Sequence, residues 1–238
     1  MFHPEGPSFV ELMQQALAST ERGYDLLAPK FDRTPFRTPD PVLAAMAKCI
    51  GAPRSIASAL DVCCGTGAAM RHLRPLCTER VVGLDFSAGM LDEAHRRLAD
   101  APGDARIELL RGDALALPFQ QEMDVVTSVG AFGHVLPEQE DRFVAGIVRA
   151  LKLGGRFVFA TGRRPRPRDA WFWMAHGFNA AMRVRNAFLK PEFIMYYLTF
   201  LWPEVRPLLE RHGLRVVAHE GLCPHPYERV VIVVAEKR

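Results

Sequence analysis

Short apolar runs alternate with amphipathic stretches between about residue 40 and residue 160. Runs of about four to eight residues rich in Val, Ile, Leu and Phe are typical of buried strands, whereas apolar residues three or four apart are typical of helices. The alternation predicts strand–helix–strand units, and therefore a parallel sheet. The predicted strands of this part cover residues 57–62, 80–85, 106–111, 124–128 and 155–161.

Helix signals flank these strands. Ser8 and the glutamate three residues after it form a capping-box pattern, and the apolar residues that follow recur at helical spacing. Asp40 directly before Pro41 predicts an N-cap and a first helical residue, and Ser87 predicts another N-cap. A further helix is predicted to begin near residue 138 and to end in the Lys-Leu-Gly-Gly of residues 152–155.

The pattern is interrupted between residues 162 and 202 and then resumes. This segment has no strand signal and is about twice as long as an ordinary connection. A helix is predicted at residues 203–212, followed by strands at residues 214–219 and 229–236 whose short connecting loop predicts antiparallel pairing. We therefore predict an α/β fold with a Rossmann-like, doubly wound, seven-stranded sheet, mostly parallel with an antiparallel last strand, and helices on both faces.

The chain has 238 residues, of which 49% are hydrophobic, and this suits one domain with an insertion better than two independent domains. We divide it into an N-terminal helical cap (residues 1–50) and a main domain (residues 51–238) with a lid insertion at residues 162–202. No signal-peptide pattern opens the sequence, its most apolar run is about half a membrane span, and its five cysteines lack regular spacing. We expect a cytoplasmic protein.

The formal net charge of +3 conceals an asymmetry, because residues 161–190 carry +6 and the rest of the chain −3. A cluster of arginines beside an aromatic run predicts a ligand with an apolar body and an acidic group. The alternatives are a solvated basic face above core helices, or a segment that lies on a membrane surface. The arginines are Arg163, Arg164, Arg166 and Arg168, and the aromatic run begins at Trp171.

Carboxylates and glycines follow the first three predicted strands. Asp61 precedes a turn with Gly65 and Gly67, where the backbone allows a ligand to approach closely and the next helix offers free N–H groups to an anion. Asp85 ends the second strand, where a carboxylate can accept from two ribose hydroxyls, and Asp113 follows the third strand, where it can accept from an adenine amine. Together these positions predict a pocket for an adenosine with a charged tail.

The glycine turn discriminates between adenosine compounds. A dinucleotide fingerprint would need glycine where Met70 stands, and a phosphate loop would need a Gly-Lys-Ser/Thr sequence that the chain lacks. A nucleoside with an amino-acid tail fits better, because the turn then needs to hold only a carboxylate.

These motifs resemble those of class I S-adenosylmethionine-dependent methyltransferases, and they occur in the family's order. The resemblance extends from about residue 25 to the C-terminus and is weakest in the insertion. It implies S-adenosylmethionine as cofactor, and methyl transfer to an O, N or C nucleophile of a small, partly hydrophobic acceptor. The open alternatives are transfer of another group from a related sulfonium, and a non-catalytic nucleotide-binding or membrane-surface protein. The matching segments are residues 60–67, 83–87, 90–91, 112–114, 117–119, 124–126 with 128, and 151–156.

The resemblance also implies roles for individual residues. It places the methionine end of the cofactor at the glycine turn, the ribose at Asp85, and the adenine among residues that follow the second and third strands. Tyr24 opens a segment similar to the N-terminal lid of small-molecule members, and Cys63 departs from the family by standing where its first glycine usually stands. The candidate cofactor-binding residues are Tyr24, Asp61, Cys63, Gly65, Gly67, Asp85, Phe86, Met90, Asp113, Ala114 and Ser128.

His134 follows the fourth strand, in the loop that faces the transferred methyl group in this family. It is the candidate general base, since its unperturbed pKa lies near neutrality, and the alternative is that it only shapes the pocket. The spacing of His219, Cys223 and His225 is not a zinc signature, so we predict no metal. The motifs of nucleic-acid methyltransferases are absent, so we expect a small-molecule partner, no nucleic acid, and no preference for a membrane surface.

Overall fold

A computed structural model describes residues 5–238, and its centre is a seven-stranded sheet in the order β3-β2-β1-β4-β5-β7-β6. β7 runs antiparallel to both β5 and β6, while the other neighbouring strands pair in parallel. The predicted sheet, including its antiparallel last strand, is confirmed. The strands are β1 (Ile56–Val62), β2 (Cys77–Asp85), β3 (Arg106–Arg111), β4 (Met123–Ser128), β5 (Leu151–Thr161), β6 (Leu214–His219) and β7 (Val231–Lys237).

Eight α-helices surround the sheet within residues 5–238, and two of them begin at the serine caps that the sequence predicted. The Ser8 hydroxyl accepts from the Glu11 N–H and the Glu11 carboxylate accepts from the Ser8 N–H, which completes the capping box. The Ser87 hydroxyl accepts from the Met90 N–H at 3.1 Å. None of these helices is long and apolar enough to cross a membrane. They are α1 (Phe9–Leu17), α2 (Thr20–Leu27), α3 (Asp40–Ile50), α4 (Ala68–Leu73), α5 (Ala88–Leu98), α6 (Glu140–Ala150), α7 (Ala170–Phe188) and α8 (Arg206–Arg211).

Three predicted helix boundaries are wrong, and one of them is the start of α8, predicted at residue 203 and observed at Arg206. Pro39, not Asp40, takes the N-cap position of α3, and the Asp40 carboxylate pairs with Arg37 at 2.8 Å instead of capping the helix. α6 ends at Ala150, so the glycine pair lies within β5. Gly154 adopts a φ of +73° there, and the register between β4 and β5 shifts at the same place. Glycine in this strand therefore marks a bulge rather than a helix end.

Side chains alternate between two buried layers along each central strand. Phe157 and Phe159 of β5 face α6 and α8, whereas Val158 between them faces the layer that contains α3, α4 and α5. Burial on both faces explains why these strands appear as nearly continuous apolar runs. α3 packs on the sheet through Val42 and Met46. This helix was predicted to belong to the N-terminal cap, but it is part of the layer that covers the sheet. The division of the chain at residue 50 stays a prediction.

The insertion (residues 162–202) consists of a loop at residues 162–169, α7, and an irregular return segment at residues 189–202. Two buried asparagines of α7, seven residues apart, attach this segment to the helix. Asn179 donates to the carbonyl of Tyr197 and accepts from its N–H, both at 2.8 Å. Asn186 forms the same pair of bonds with Phe193, at 3.1 and 3.0 Å. The asparagines thus satisfy backbone groups that a neighbouring strand would otherwise satisfy.

Candidate active site

Two carboxylates lie buried where β1 and β2 end. The Asp61 carboxylate accepts from the Thr127 hydroxyl of β4 at 2.7 Å. The two oxygens of Asp85 accept from the N–H groups of Gly65 and Ser87, each at 2.9 Å, so Asp85 fixes the glycine turn. Neither carboxylate has an ion pair with any residue from 5 to 238. Because an unpaired buried charge is costly, a cationic ligand would be stabilised here.

The protonation of these carboxylates reflects the same environment. Burial and, to a smaller extent, the charge of Asp85 raise the pKa of Asp61 to about 7, against the lowering effect of the bond from Thr127. Burial also raises the pKa of Asp85, although the N–H groups around it partly offset the effect. A nearby positive charge would lower both pKa values again, because it favours the ionised form.

The turn after β1 leaves room for a ligand. Cys63 adopts a φ of +58°, in the left-handed region that favours glycine, and this fits the expectation from the family resemblance that glycine usually stands there. At Gly65, with a φ of +53°, an added Cβ would meet no atom within 4 Å, so there is open space beside the backbone. Ser128 ends β4 with a buried hydroxyl that has no hydrogen-bond partner in the described part of the chain. Open space and an unsatisfied hydroxyl beside two carboxylates fit a polar, cationic ligand.

The remaining predicted cofactor residues surround this turn at different depths. Phe86 is partly buried next to Tyr24, and Met90 is fully buried at the start of α5. Gly67 is the N-cap residue of α4 below the turn. Asp113 is exposed, and its carboxylate accepts from the Leu115 N–H in its own turn, with Ala114 beside it partly buried. The structure thus brings the residues of β1, β2 and α2 together and leaves Asp113 at the rim.

The N-terminal lid, here α2 and the 3-10 turn of residues 28–33, is attached over the glycine turn by two aspartates. Asp32 accepts from the Thr66 hydroxyl at 2.6 Å. Asp25 accepts from the Ser87 hydroxyl at 2.7 Å and from the Gly89 N–H at 3.0 Å, at the N-terminus of α5. Sequence reasoning did not single out Asp25 or Asp32, because nothing in the local pattern indicates which loop such a side chain will reach.

Tyr24 and His134 form a hydrogen bond across the site. His134 Nδ1 lies 2.5 Å from the Ile194 carbonyl oxygen, which can only accept, so Nδ1 carries the proton. Nε2 of the neutral ring is therefore an acceptor, and the Tyr24 hydroxyl donates to it at 2.8 Å. Burial lowers the pKa of His134 and raises that of Tyr24. At neutral pH His134 is therefore an uncharged imidazole that can accept a proton, and Tyr24 is a protonated phenol hydrogen-bonded to it.

A cavity of about 370 Å³ lies between α7, its return segment and the loop after β4. Leu136 and Pro137, just after His134, form one wall, and Tyr196 and Tyr197 form another. Of the four arginines that the sequence suggested for a ligand, only Arg164 lines the cavity, where Arg183 of α7 joins it. Arg163 and Arg164 form exposed ion pairs with Glu220 and Glu204.

The aromatic residues of the insertion divide into two groups. Phe200 and Trp202 are buried in the core beside β5. Trp171 and Phe178 pack on the ring of Tyr197, with ring centroids 5.0 and 4.9 Å apart, and so support a wall of the cavity. Packing in the core therefore accounts for part of the aromatic run, and a role of the other part in binding a ligand stays a prediction.

Comparison with known proteins relates this chain to methyltransferases. Residues 59–155 match the family model described as a methyltransferase domain. The chain is similar to the demethylmenaquinone methyltransferase of Symbiobacterium thermophilum, with 30% identity over 171 residues, covering 71% of this chain and 58% of that protein. It is also similar to the 2-phytyl-1,4-naphtoquinone methyltransferase of Thermosynechococcus vestitus, with 52% identity over 65 residues, covering 26% and 28%. The aligned regions span about half the length of the curated relatives, or less.

Among solved structures, the complex of DhpI with SAH has a TM-score of 0.65 and 20% identity, covering 96% of this chain and 98% of that one. The sheet order and the glycine turn after β1 define the class I methyltransferase fold. The comparisons therefore show a methyltransferase domain at residues 59–155 on the fold of the class I S-adenosylmethionine-dependent methyltransferases, the class that the motifs predicted.

Proposed function

We propose that this protein transfers a methyl group from S-adenosylmethionine to an O, N or C nucleophile of a small, partly hydrophobic acceptor. The observation that supports this most strongly is the pair of buried, unpaired carboxylates, Asp61 and Asp85, beside the glycine turn. Such a pair favours a ligand with both a positive charge and donor hydroxyls, and S-adenosylmethionine has both.

The cofactor would be held by residues of three strand ends. Asp61 would face the positively charged methionine end, Asp85 would accept from the ribose hydroxyls, and the open space at Gly65 would admit the ligand next to the backbone. The free hydroxyl of Ser128 offers one further polar contact. When bound, the cofactor supplies a methyl group made electrophilic by its sulfonium.

The acceptor would occupy the cavity beneath α7. Its tyrosine rings and aliphatic side chains suit an aromatic body, and Arg164 and Arg183 suit an acidic or electron-rich oxygen. The curated relatives are named for demethylmenaquinone and phytyl-naphthoquinone, so a quinone-type aromatic compound is the first acceptor to test. Cationic lining also argues against aminopropyl transfer, since a polyamine acceptor would need carboxylates there.

His134 is the proposed general base. Its Nε2 can take the proton that an acceptor hydroxyl loses, after the hydroxyl of Tyr24 has moved or by way of that hydroxyl. The Ile194 carbonyl, which already accepts from Nδ1, would then stabilise the imidazolium that forms. Closure of the lid and the insertion would keep water out and align the acceptor, which is a large part of what methyl transfer requires.

Calorimetry with S-adenosylhomocysteine tests the cofactor site. In Asp85→Asn, loss of a charge-assisted contact to the ribose should weaken binding by about tenfold or more. Asp61→Asn keeps the bond from Thr127 but removes the charge, and should weaken binding as well. Asp104→Asn, which changes an exposed carboxylate before β3 at the opposite edge of the sheet, is the matched control and should leave affinity unchanged. If both buried variants fold and bind as tightly as the parent, the proposed cofactor site is wrong.

Turnover with a demethylmenaquinone-type acceptor tests the base. His134→Ala should lower kcat by about a hundredfold, while the affinity for S-adenosylhomocysteine stays within about twofold. Because burial lowers the pKa of His134, its protonation should reduce kcat only below the ordinary value of about 6.5. A loss under about threefold, with an unchanged pH profile, would mean that His134 only shapes the pocket.

A further inference from the structure

α7 has two apolar faces, of which only one is buried in the protein. Ala175, Asn179 and Met182 point into the fold. The opposite side has apolar residues at positions 173, 177, 180, 181, 184 and 188, without a charged residue among them. Its largest members, Trp173, Val184 and Phe188, are 66%, 59% and 83% exposed. This exposed stripe is about 22 Å long, from the rise per residue of an α-helix.

α1 adds a second exposed apolar row next to the end of α7. Of the residues predicted to share its apolar face, Val10, Met13 and Leu17 are exposed and Leu12 is partly buried, and the exposed Phe9 lies on the same side as the first three. The Arg185 guanidinium of α7 donates to the carbonyls of Ala16 and Ala18 at 2.9 Å and so caps the C-terminus of α1. We call these exposed residues of the two helices the docking face: Phe9, Val10, Met13, Leu17, Trp173, Met174, Val184 and Phe188.

The charges without an ion pair near the docking face are mainly positive, and Asp169, the N-cap residue of α7, is the acid among them. Arg22 at the start of α2 and Arg166 and Arg168 just before α7 have no ion pair anywhere in residues 5–238. Glu11, the acid of α1, is already paired with Lys30 at 2.6 Å. An apolar helical face with unpaired cations at its border is the arrangement that binds the headgroup region of an anionic bilayer.

We propose that α1 and α7 dock this protein reversibly on anionic lipid membranes, with the docking face inserted at the boundary between headgroups and acyl chains. Docking does not depend on the proposed methyl transfer. The opposite side of α7 contributes His176, Asn179 and Arg183 to the cavity, so docking would place one wall of that cavity at the membrane. If the proposed function is also correct, an apolar acceptor could then pass between bilayer and cavity without crossing water.

Vesicle flotation tests the docking. The full chain should float with vesicles of phosphatidylcholine and phosphatidylglycerol, less with phosphatidylcholine alone, and less at higher salt. Trp173→Ser combined with Phe188→Ser should lower binding by about tenfold or more, because both side chains lose their insertion into the bilayer. Phe9→Ser combined with Met13→Ser tests α1 separately. The matched control is Leu153→Ser with Leu222→Ser, which changes exposed leucines outside the docking face and should float like the parent.

Two results would overturn the proposal. The first is a parent chain that does not float with anionic vesicles, or docking-face variants that fold and float like the parent. The second is a dimer of the parent, detected by light scattering, that both docking-face variants dissociate, because the face would then cover a second copy of this chain. Binding of S-adenosylhomocysteine, measured in the same variants, verifies that they are folded. It also separates failure of docking from failure of the proposed cofactor site.

Discussion

Gly133 is the point of closest approach between the loop after β4 and the insertion. A Cβ built on it would lie 2.4 Å from the Tyr196 carbonyl oxygen, closer than real Cβ atoms come. The Tyr196 N–H donates to the Gly133 carbonyl at 2.8 Å, and two residues earlier the Ile194 carbonyl accepts from His134. Gly133→Ala should therefore push residues 194–199 away and break both bonds, with no cost from the backbone angle of residue 133 itself.

The expected loss follows from these two hydrogen bonds. Each contributes about 1 kcal/mol net, and up to about 3 kcal/mol where a buried partner is left unsatisfied, so local stability should fall by about 2–4 kcal/mol. Gly177→Ala is the matched control within the same insertion, because its Cβ would meet no atom within 4 Å. Alanine in the middle of α7 should even stabilise the helix by about 0.8–1 kcal/mol.

Hydrogen exchange is the direct assay. A local loss of about 2 kcal/mol corresponds to about thirtyfold faster exchange, expected in Gly133→Ala at residues 194–199 and absent in Gly177→Ala. Turnover should fall because the displaced Ile194 carbonyl no longer orients His134. Affinity for S-adenosylhomocysteine should stay within about twofold, because the strand ends are unchanged. If Gly133→Ala exchanges and turns over like the parent, the contact with Tyr196 does not position His134 and the reasoning fails.

The remaining predictions concern the cofactor side. Asp61, with a folded pKa of about 7 against about 4 in the unfolded chain, binds a proton on folding, so parent stability should fall as pH rises between those values. Thermal unfolding without cofactor should show the stability of Asp61→Asn, relative to the parent, increasing with pH across that window and staying constant above it. A stability difference that does not depend on pH would contradict the assignment. Gly67→Ala should lower the free energy of unfolding by about 2–4 kcal/mol, because residue 67 has a φ of +82° and the new Cβ would lie 2.8 Å from Leu98. Gly154→Ala should lower it by only about 1–2 kcal/mol, because residue 154 has a φ of +73° but its Cβ would point into open space. Denaturant titration measures both, and equal losses would mean that the backbone angle alone decides the cost.

The sequence was sufficient for the sheet and for the strand-end residues of the site. The predicted strands differ from the observed ones by four residues or fewer at either end, because runs buried on both faces are both long and apolar. Asp61 and Asp85 end neighbouring parallel strands, and this topology alone places them at one edge. Even Cys63, a departure from the family pattern, retains the left-handed backbone that glycine usually supplies.

Contacts between distant segments could not be predicted. Tyr24 and His134 are 110 residues apart, and no spacing rule connects them. Asn179 and Asn186 look like ordinary polar positions of a helix until the return segment is known. The apolar face of α1 was predicted from its period, but a period does not tell whether the face meets the core or the solvent.

The two sides of the site differ in what holds them in place. Asp61 and Asp85 end strands that are hydrogen-bonded on both sides and buried in both layers, so moving them means disrupting the sheet. The cavity wall at residues 194–199, between the buried side chains of Phe193 and Phe200, is held instead mainly by hydrogen bonds with Thr20, Gly133 and Asn179, each contributing about 1 kcal/mol. Such a segment opens at a free energy well below that of global unfolding. We therefore expect an acceptor to enter by local opening of this segment while the cofactor side stays formed.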